Sequence, residues 1–451
     1  MRISKLELHN FRKYKEAALH FNARFNVLIG NNGKGKTTVL DALAILLNTY
    51  FQGSKLTTGG GTIRGADARA VFVDVNGEVF REVLPDVWIE AVAEMEDTPI
   101  TWRRDIGDRG GKAKEFVKKG QEKRSELSND SSSDVDLPLL LYYGAGRLWD
   151  KHDDVVSDSP SSRLSAYRYC LDPKSDHKAF EKWFKRMTLA KLQKGTDSDA
   201  LKVVATAVTS CIPGAQDFYY DAAYDQLMIK LEHEGLMQFD DLSDGYRNMV
   251  GIVADIAHRA SRLNPHLKDE AATKTKGIVL IDEIDLHLHP KWQRRVVSDL
   301  KSAFKELQFI VSSHSPFILQ SLAQGEVIDL GRELSPSEDK LVPDGVAAPQ
   351  AEALYANRSL EDITEEVMKI PVPQRGERYQ KMYDTAIEYY RLLEEANGDP
   401  GDKRLAEIQT KLDQLTSPFS GNVAYHAFLE MKRLGSRAGE TLQPNPEADE
   451  K

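Results

Sequence analysis

Residues 25–40 read FNVLIGNNGKGKTTVL, and this stretch decides the fold. A short apolar run opens it, as in a buried strand, a glycine-rich loop follows, and a helical pattern of apolar residues comes next. The spacing of Gly30, Gly35, Lys36 and Thr37 matches the phosphate-binding loop G-x-x-x-x-G-K-[ST]. The strand, loop and helix occur in the order that this motif requires.

The chemistry of such a loop explains its spacing. Glycines let successive backbone N–H groups face one anion, and the helix that follows adds a partial positive charge at the same point. We expect Lys36 to reach the β- and γ-phosphates of ATP and the Thr37 hydroxyl to coordinate Mg²⁺. The predicted nucleotide-binding residues of the loop are Gly30, Asn31, Asn32, Gly33, Lys34, Gly35, Lys36, Thr37 and Thr38.

Two further strand ends carry chemically useful side chains. Four apolar residues from position 278 precede Asp282 and Glu283, which predicts a buried parallel strand with carboxylates at its C-terminal edge. Asp282 is predicted to hold Mg²⁺ and Glu283 to act as general base on the attacking water. Another strand leads to His314, which we expect within reach of the γ-phosphate.

Composition restricts the other possibilities. The chain has 451 residues, a net charge of −10 and two cysteines, too few for a disulfide framework. No apolar run approaches a membrane span, and the first residues lack the apolar core of a signal peptide. These features favour a cytoplasmic protein without a membrane partner. Any contact with DNA or other nucleic acid must use a local basic patch.

One such basic segment lies at residues 103–124, with nine Lys or Arg against four Asp or Glu. A nucleic-acid patch is one interpretation, and a solvated hairpin or loop is the other and the favoured one. Residues 125–136 have little apolar content, which predicts disorder. We therefore treat residues 103–136 as a variable insertion.

The remaining segments of the chain are predicted to contain both strands and helices. Residues 70–104 resemble a β-meander, and residues 160–265 a largely helical lobe. A buried strand near residue 140 ends in a Gly-x-Gly turn that delivers Arg147. This arginine has two open interpretations, a contact with nucleotide or a neighbouring subunit, and a salt bridge at the strand end.

The motif order resembles the ABC-type ATPase heads of the RecF, Rad50 and SMC class. Residues 242–247, LSDGYR, stand where that class has its LSGGQ signature, with departures at Asp244 and Tyr246. The resemblance implies that Leu242, Ser243 and Gly245 contact the γ-phosphate bound by another subunit, in a head-to-tail dimer or larger homo-oligomer. It also implies that Asp285 is the D-loop residue and His314 the switch histidine. The glutamine of the class, which defines its Q-loop, has no convincing position here.

Within this class the chain resembles compact heads. The stretch between residues 37 and 242 is interrupted by Pro, Gly and Ser, unlike the long coiled coils of SMC and Rad50. Residues 285–290 and 312–318 resemble the OLD and RecF-like ATPases. The Glu-Gly-x-x-Asp-type metal site of OLD nucleases does not occur after His314, which argues against nuclease activity of the chain itself.

Finer features resemble the ATPase subunits of Septu-type antiphage systems, including relatives encoded beside retrons. They are the stretches at residues 139–149 and 418–433. The resemblance implies an ATPase that controls a separate HNH nuclease. The alternative is a RecF-like repair ATPase that binds DNA as an ATP-dependent clamp. A membrane transporter ATPase is less consistent with the sequence, because no apolar segment suited to a membrane partner is paired with the ATPase motifs.

The predicted architecture is an α/β P-loop NTPase of the ABC-ATPase type, with parallel and mixed sheets and a C-terminal helical region. The ATPase head is expected over residues 1–330, amphipathic helices over 346–438, and a disordered tail over 439–451. These helices either bind a partner or pack on their own head or on a second copy, and the sequence leaves both open.

Overall fold

The structure is a computed structural model. It describes residues 1–107, 111–129, 134–147, 162–174, 177–195, 197–331 and 403–416, with single helical residues between 363 and 392. The chain divides into two compact units, Met1–Leu360 and Glu361–Lys451. The finer predicted boundaries, at residues 330, 346 and 438, stay predictions.

The first unit combines parallel and antiparallel strands, as predicted for this fold class. Its strands are β1 (Arg2–Phe11), β2 (Tyr14–His20), β3 (Phe25–Ile29), β4 (Ala70–Val75), β5 (Glu78–Val83), β6 (Trp88–Met95), β7 (Thr98–Asp105), β8 (Leu139–Tyr143), β9 (Ala215–Asp221), β10 (Gln226–Leu231), β11 (Gly235–Gln238), β12 (Gly277–Ile281), β13 (Leu307–Ser312) and β14 (Val327–Asp329).

Helices cover and connect these strands. They are α1 (Lys36–Asn48), α2 (Lys114–Asn129), α3 (His177–Lys194), α4 (Asp199–Cys211), α5 (Asp244–Leu263), α6 (Ala271–Lys274), α7 (Pro290–Gln293), α8 (Val296–Ala303) and α9 (Pro316–Leu319). Helix α10 (Lys403–Thr416) belongs to the second unit. Among the described helices, none combines the length and the apolar character needed to cross a membrane.

The parallel sheet positions the site. Its strand order is β14-β3-β13-β12-β8, and every residue of β3, β8, β12 and β13 is buried. These strands are the apolar runs that the sequence analysis identified. Because all five run in the same direction, the loops that follow them meet at one edge of the sheet. The phosphate loop, the Asp282 segment, the His314 segment and the Arg147 turn all leave from that edge.

The antiparallel strands form three further sheets, with the orders β2-β1-β6-β7, β11-β10-β9 and β4-β5. The predicted single meander over residues 70–104 is therefore only partly correct. Strands β6 and β7 extend the sheet of β1 through the pairing of β1 with β6. Strands β4 and β5 form a separate two-stranded hairpin, and its side chains Phe72 and Val79 are largely exposed.

The basic segment is not the solvated hairpin or loop that the charge pattern suggested. Residues 114–129 form α2, so the predicted disorder from residue 125 is also wrong up to residue 129. Phe116 is fully buried and stacks on Trp102 of β7 at a centroid distance of 4.0 Å. Trp102 donates its indole N–H to Leu46 O of α1 at 3.0 Å. One aromatic residue thus anchors a helix whose other positions are mostly charged.

Replacing Phe116 by Ala is expected to lower the free energy of unfolding by about 3–5 kcal/mol, because it leaves a cavity against Trp102. Lys118→Ala on the same helix is the matched control, since the Lys118 side chain is 75% exposed. Its expected effect is within about 0.5 kcal/mol. Urea unfolding followed by tryptophan fluorescence measures both. Equal unfolding midpoints for the two variants would contradict the packing of α2 on the sheet.

Helix α5 connects the helical lobe to the parallel sheet. Its buried face includes apolar residues at helical spacing, such as Val253 and Ile256. Asp255 accepts hydrogen bonds from Tyr143 Oη of β8 and from Arg259 Nε, at 2.8 and 2.9 Å. Burial opposes ionisation of Asp255, but the neighbouring Arg259 lowers its pKa overall. The carboxylate therefore fixes α5 against the strand that precedes the Arg147 turn.

The second unit is helical where the structure describes it. Helix α10 covers the predicted apolar positions around Leu412, whose side chain is buried. Residues 381, 385 and 388–389 are helical in the other predicted amphipathic segment. The predicted tail at 439–451 lies outside the described residues.

Candidate functional site

The phosphate loop has the backbone that its glycines permit. Gly30, Gly33 and Gly35 have positive φ angles of 139°, 77° and 87°. Helix α1 begins at Lys36, and Lys36 Nζ donates to Gly30 O at 2.7 Å across the loop. Residues 31–34 are exposed at its tip and Thr38 is buried in α1. The loop is therefore open to an anion on one side and closed by the helix on the other.

Lys36 lies in an acidic and mostly buried environment. Burial lowers its pKa, while Asp282, Glu283 and Asp285 oppose that change. A second element supports the loop, because Tyr14 Oη at the start of β2 donates to Lys34 O at 2.8 Å. The sequence analysis missed Tyr14, since no motif connects it to the loop.

Thr37 and Asp282 lie together although 245 positions separate them in sequence. The Thr37 hydroxyl donates to Asp282 Oδ2 at 2.8 Å, and Ser312 Oγ donates to Asp282 Oδ1. A hydroxyl and one carboxylate suit Mg²⁺, which binds few protein oxygens and completes its shell with water and phosphate oxygens. Within the described residues, no cluster of three or more His, Cys, Asp or Glu side chains could hold a metal ion.

Glu283 follows Asp282 in an unusual backbone conformation. Its φ is +50°, in the left-handed region, which costs a non-glycine residue about 1–3 kcal/mol. The Glu283 N–H donates to Ser312 Oγ at 2.8 Å and the Ile284 N–H donates to Ser312 O at 3.0 Å. Ser312 therefore contacts both the predicted metal ligand and the predicted base. Its role was missed because a serine at a strand end carries no motif.

His314 and Asp285 lie next to each other at the same edge. The His314 backbone N–H approaches Asp285 Oδ1 at 3.4 Å, and both side chains are half-buried. Gln293 on α7 joins this region, with its amide donating to Leu288 O at 2.8 Å and accepting from Ser315 Oγ. The structure thus brings together the predicted D-loop and switch residues. Their contacts with nucleotide stay predictions.

Arg147 forms no salt bridge with a described residue at the strand end, and its predicted contact with nucleotide or a neighbouring subunit stays a prediction. Its side chain is buried, and its guanidinium donates to backbone carbonyls and to one amide rather than to a carboxylate. The acceptors are Gly144 O, Asp282 O, Glu283 O and Asn248 Oδ1. Burial lowers the pKa of Arg147 to about 10, although Asp282 and Glu283 lie nearby.

The signature segment packs against the Asp285 loop of its own chain. A side chain at Gly245 would place its Cβ 2.5 Å from His287 O, so only glycine fits there. Asn248 Nδ2 donates to Leu286 O at 2.9 Å. Leu242 is buried, whereas Ser243 is exposed at the start of α5. This arrangement leaves Ser243 accessible to another molecule.

The chain matches two families of known proteins. The family described as "AAA ATPase domain" matches residues 1–194, and a second AAA-domain family, which its description links to AbiEii toxins, matches residues 101–320. Both matches include part of the parallel sheet, and the first includes the phosphate loop.

Individual relatives are distant. "Retron Ec83 probable ATPase" of Escherichia coli is 25% identical over 71% of this chain and 70% of its own length. "Septu protein PtuA" of Bacillus mycoides is 24% identical over 92% of this chain, which spans half the length of that protein. The SMC head domain of Thermotoga maritima aligns with 73% of this chain and 94% of its own, at 15% identity and a TM-score of 0.40.

The resemblance inferred from residues 25–40, 242–247 and 282–314 is thereby confirmed at the level of the class. The phosphate loop, the acidic strand end and the relatives agree, and the chain is related to AAA/ABC-type ATPases, with the Septu PtuA proteins and the retron ATPases among its relatives.

Proposed function

We propose that this protein binds ATP with Mg²⁺ at the edge of the parallel sheet and hydrolyses it. The observation that carries the proposal is the group formed by Thr37, Asp282, Glu283 and Ser312, next to Lys36 and the glycine loop. These residues come from three separate parts of the sequence, and the contact between the Thr37 hydroxyl and the Asp282 carboxylate joins the two side chains that hold Mg²⁺ in phosphoryl transfer by this class of site.

Each residue has a distinct role in the proposed reaction. The backbone N–H groups of the phosphate loop and Lys36 hold the β- and γ-phosphates, and Thr37 and Asp282 hold the metal ion. Mg²⁺, when bound, neutralises charge on the phosphate oxygens. Glu283 accepts a proton from the attacking water, and His314 hydrogen-bonds the γ-phosphate.

A complete site needs a second subunit in this proposal. Ser243 is exposed at the N-terminal end of α5, where N–H groups and the helix dipole favour an anion. Two heads arranged head-to-tail by a two-fold axis would each present Leu242, Ser243 and Gly245 to the nucleotide on the other. Asp285 lies beside this segment and would contact the same interface.

At the level of the cell, we propose that this ATPase belongs to an antiphage defence system and controls a nuclease partner of the HNH type. The proposal rests on the similarity to Septu PtuA over 92% of the chain and on the similarity to a retron ATPase. The C-terminal helices are the proposed docking region for the nuclease. Their packing on their own head or on a second copy is the competing interpretation.

Reconstitution with an HNH nuclease, sought among the products of the neighbouring genes, tests the proposal. We expect cleavage of plasmid DNA to depend on this chain and on whether ATP or ADP is present, with the nuclease alone as control. Deleting residues 346–451 should abolish co-purification with the nuclease while ATP hydrolysis continues. Cleavage indifferent to the ATPase and to nucleotide would contradict the proposal. DNA-stimulated ATP hydrolysis without any nuclease effect would favour the RecF-like alternative.

A further inference from the structure

The backbone around Glu283 is held at four points. The carbonyl oxygens of Asp282 and Glu283 belong to the two peptide units that flank the Glu283 Cα atom. Arg147 donates to both of them, at 2.6 Å from Nη1 and 2.9 Å from Nη2. The N–H groups of the same two peptide units donate to Ser312 Oγ and Ser312 O, at 2.8 and 3.0 Å.

These four bonds fix the dihedral angles of Glu283. The orientation of the preceding peptide plane sets φ and that of the following plane sets ψ, so holding both planes leaves no free backbone rotation at this residue. The value held is +50°, which a glutamate avoids when unrestrained. An unusual conformation kept by several surrounding bonds at a reactive residue is the pattern expected of a functional constraint.

Asn248 connects this arrangement to the signature helix. Its Oδ1 accepts from Arg147 Nε at 2.6 Å, and its Nδ2 donates to Leu286 O at 2.9 Å. Asn248 lies on α5 five residues after Ser243, and its side chain is buried. A direct hydrogen bond therefore links α5 to the guanidinium that holds Glu283.

We propose that Arg147 is a positioning residue, which with Ser312 holds the left-handed backbone of Glu283 and so aims its carboxylate, and that Asn248 couples this clamp to the signature helix. The inference rests on the proposed role of Glu283 as general base. The proposed role involves no contact between Arg147 and a phosphate group. Its effect on turnover passes through the Glu283 backbone alone.

The side chain must be an arginine for geometric reasons. Three guanidinium nitrogens in one plane reach four acceptors, whereas the single ammonium nitrogen of lysine cannot reach them all. Arg147→Lys keeps the charge but loses part of the clamp. Since a displacement of about 1 Å can cost 10²-fold in rate, we expect kcat for ATP to fall about 10- to 100-fold. The Kd for ATP should change less than about threefold, because Lys36 and the loop are untouched.

Arg163→Lys is the matched control. Arg163 also donates to backbone carbonyls, Leu263 O at 2.8 Å and Val135 O at 2.6 Å, but at the opposite end of α5. Its substitution should leave kcat unchanged. Thermal unfolding of both variants separates lost turnover from lost folding.

Two variants of Asn248 test the coupling. Asn248→Asp keeps an acceptor for Arg147 Nε, whereas Asn248→Ala removes it. We expect the aspartate variant to retain more of the wild-type kcat than the alanine variant. Equal losses in both variants would show that Asn248 acts through Leu286 instead, and would overturn the coupling.

Mixed dimers test in which subunit of a shared site Arg147 affects ATP turnover. Pairing a Lys36→Ala subunit with a Ser243→Arg subunit leaves one composite site, whose Glu283 belongs to the Ser243→Arg subunit. Arg147→Lys should lower turnover when placed in that subunit and not when placed in the other. Equal effects from both placements, or none, would overturn the clamp.

A crystal structure of the Arg147→Lys protein is the readout independent of turnover. We expect the φ angle of Glu283 to become negative and its carboxylate to turn. Retention of a φ near +50° would contradict the clamp even if kcat falls. Absence of ATP turnover in the unsubstituted protein would contradict the proposed function, while the crystal structure would still decide on the clamp.

Discussion

Glu283→Gln is expected to lower kcat for ATP by about 10²–10⁴-fold and to leave the affinity for ATP nearly unchanged. The amide is close in size to the carboxylate but cannot accept a proton from the attacking water. The backbone bonds of residue 283 to Ser312 and Arg147 do not involve the side chain, so the substitution keeps its position. Single-turnover hydrolysis and equilibrium binding of ATP measure the two quantities separately.

Two further variants are compared with Glu283→Gln. Glu270→Gln removes an exposed carboxylate whose only described ion pair is with Lys274, and should leave both quantities unchanged. Lys36→Ala should instead abolish ATP binding, because it removes the cation that bridges the phosphate loop. If Glu283→Gln hydrolyses ATP at the wild-type rate, another group is the general base.

The second large effect is recovery of activity by mixing two inactive proteins. Lys36→Ala cannot bind ATP, and Ser243→Arg places a bulky side chain in the exposed signature segment. If sites are shared between subunits, the mixed dimer keeps one intact site, formed by Lys36 of one subunit and Ser243 of the other. Random pairing makes half of the dimers mixed, so we expect about a quarter of the wild-type rate from the mixture.

The control for this experiment is Ser298→Arg, which introduces the same side chain at an exposed position on α8 and should remain active alone. Native mass spectrometry establishes that mixed dimers form. Mixed dimers that form but do not hydrolyse ATP would mean that each head contains a complete site, and the head-to-tail arrangement would have to be abandoned.

The residues close in sequence to a motif were predictable from the sequence alone. The spacing of Gly30, Gly35, Lys36 and Thr37 defines the phosphate loop, because a tight turn around an anion needs glycines at fixed positions within a few residues. The buried run before Asp282 likewise predicted a strand with carboxylates at its end. Both patterns involve residues close together in sequence, and the structure has strands at the two predicted positions.

Charge patterns were weaker guides. The basic segment over residues 103–124 was interpreted as a hairpin or loop, and much of it is α2. Phe116 of this helix is buried against Trp102, which belongs to a different element. Net charge says nothing about whether one aromatic side chain has a partner elsewhere in the chain.

A phosphate-loop motif, an acidic strand end and a signature-like helix start are all recognisable in the sequence. The contacts between these segments are visible only in the folded chain: Thr37 is bonded to Asp282, Ser312 contacts both Asp282 and Glu283, and Arg147 donates to the carbonyl groups of both. Arg147 carries no motif, and three of its four acceptors are backbone carbonyls, which every residue possesses. Because any residue type can supply a backbone carbonyl, such contacts cannot be predicted from which residue stands at the acceptor position. They become visible only when the parallel sheet brings distant loops to one edge.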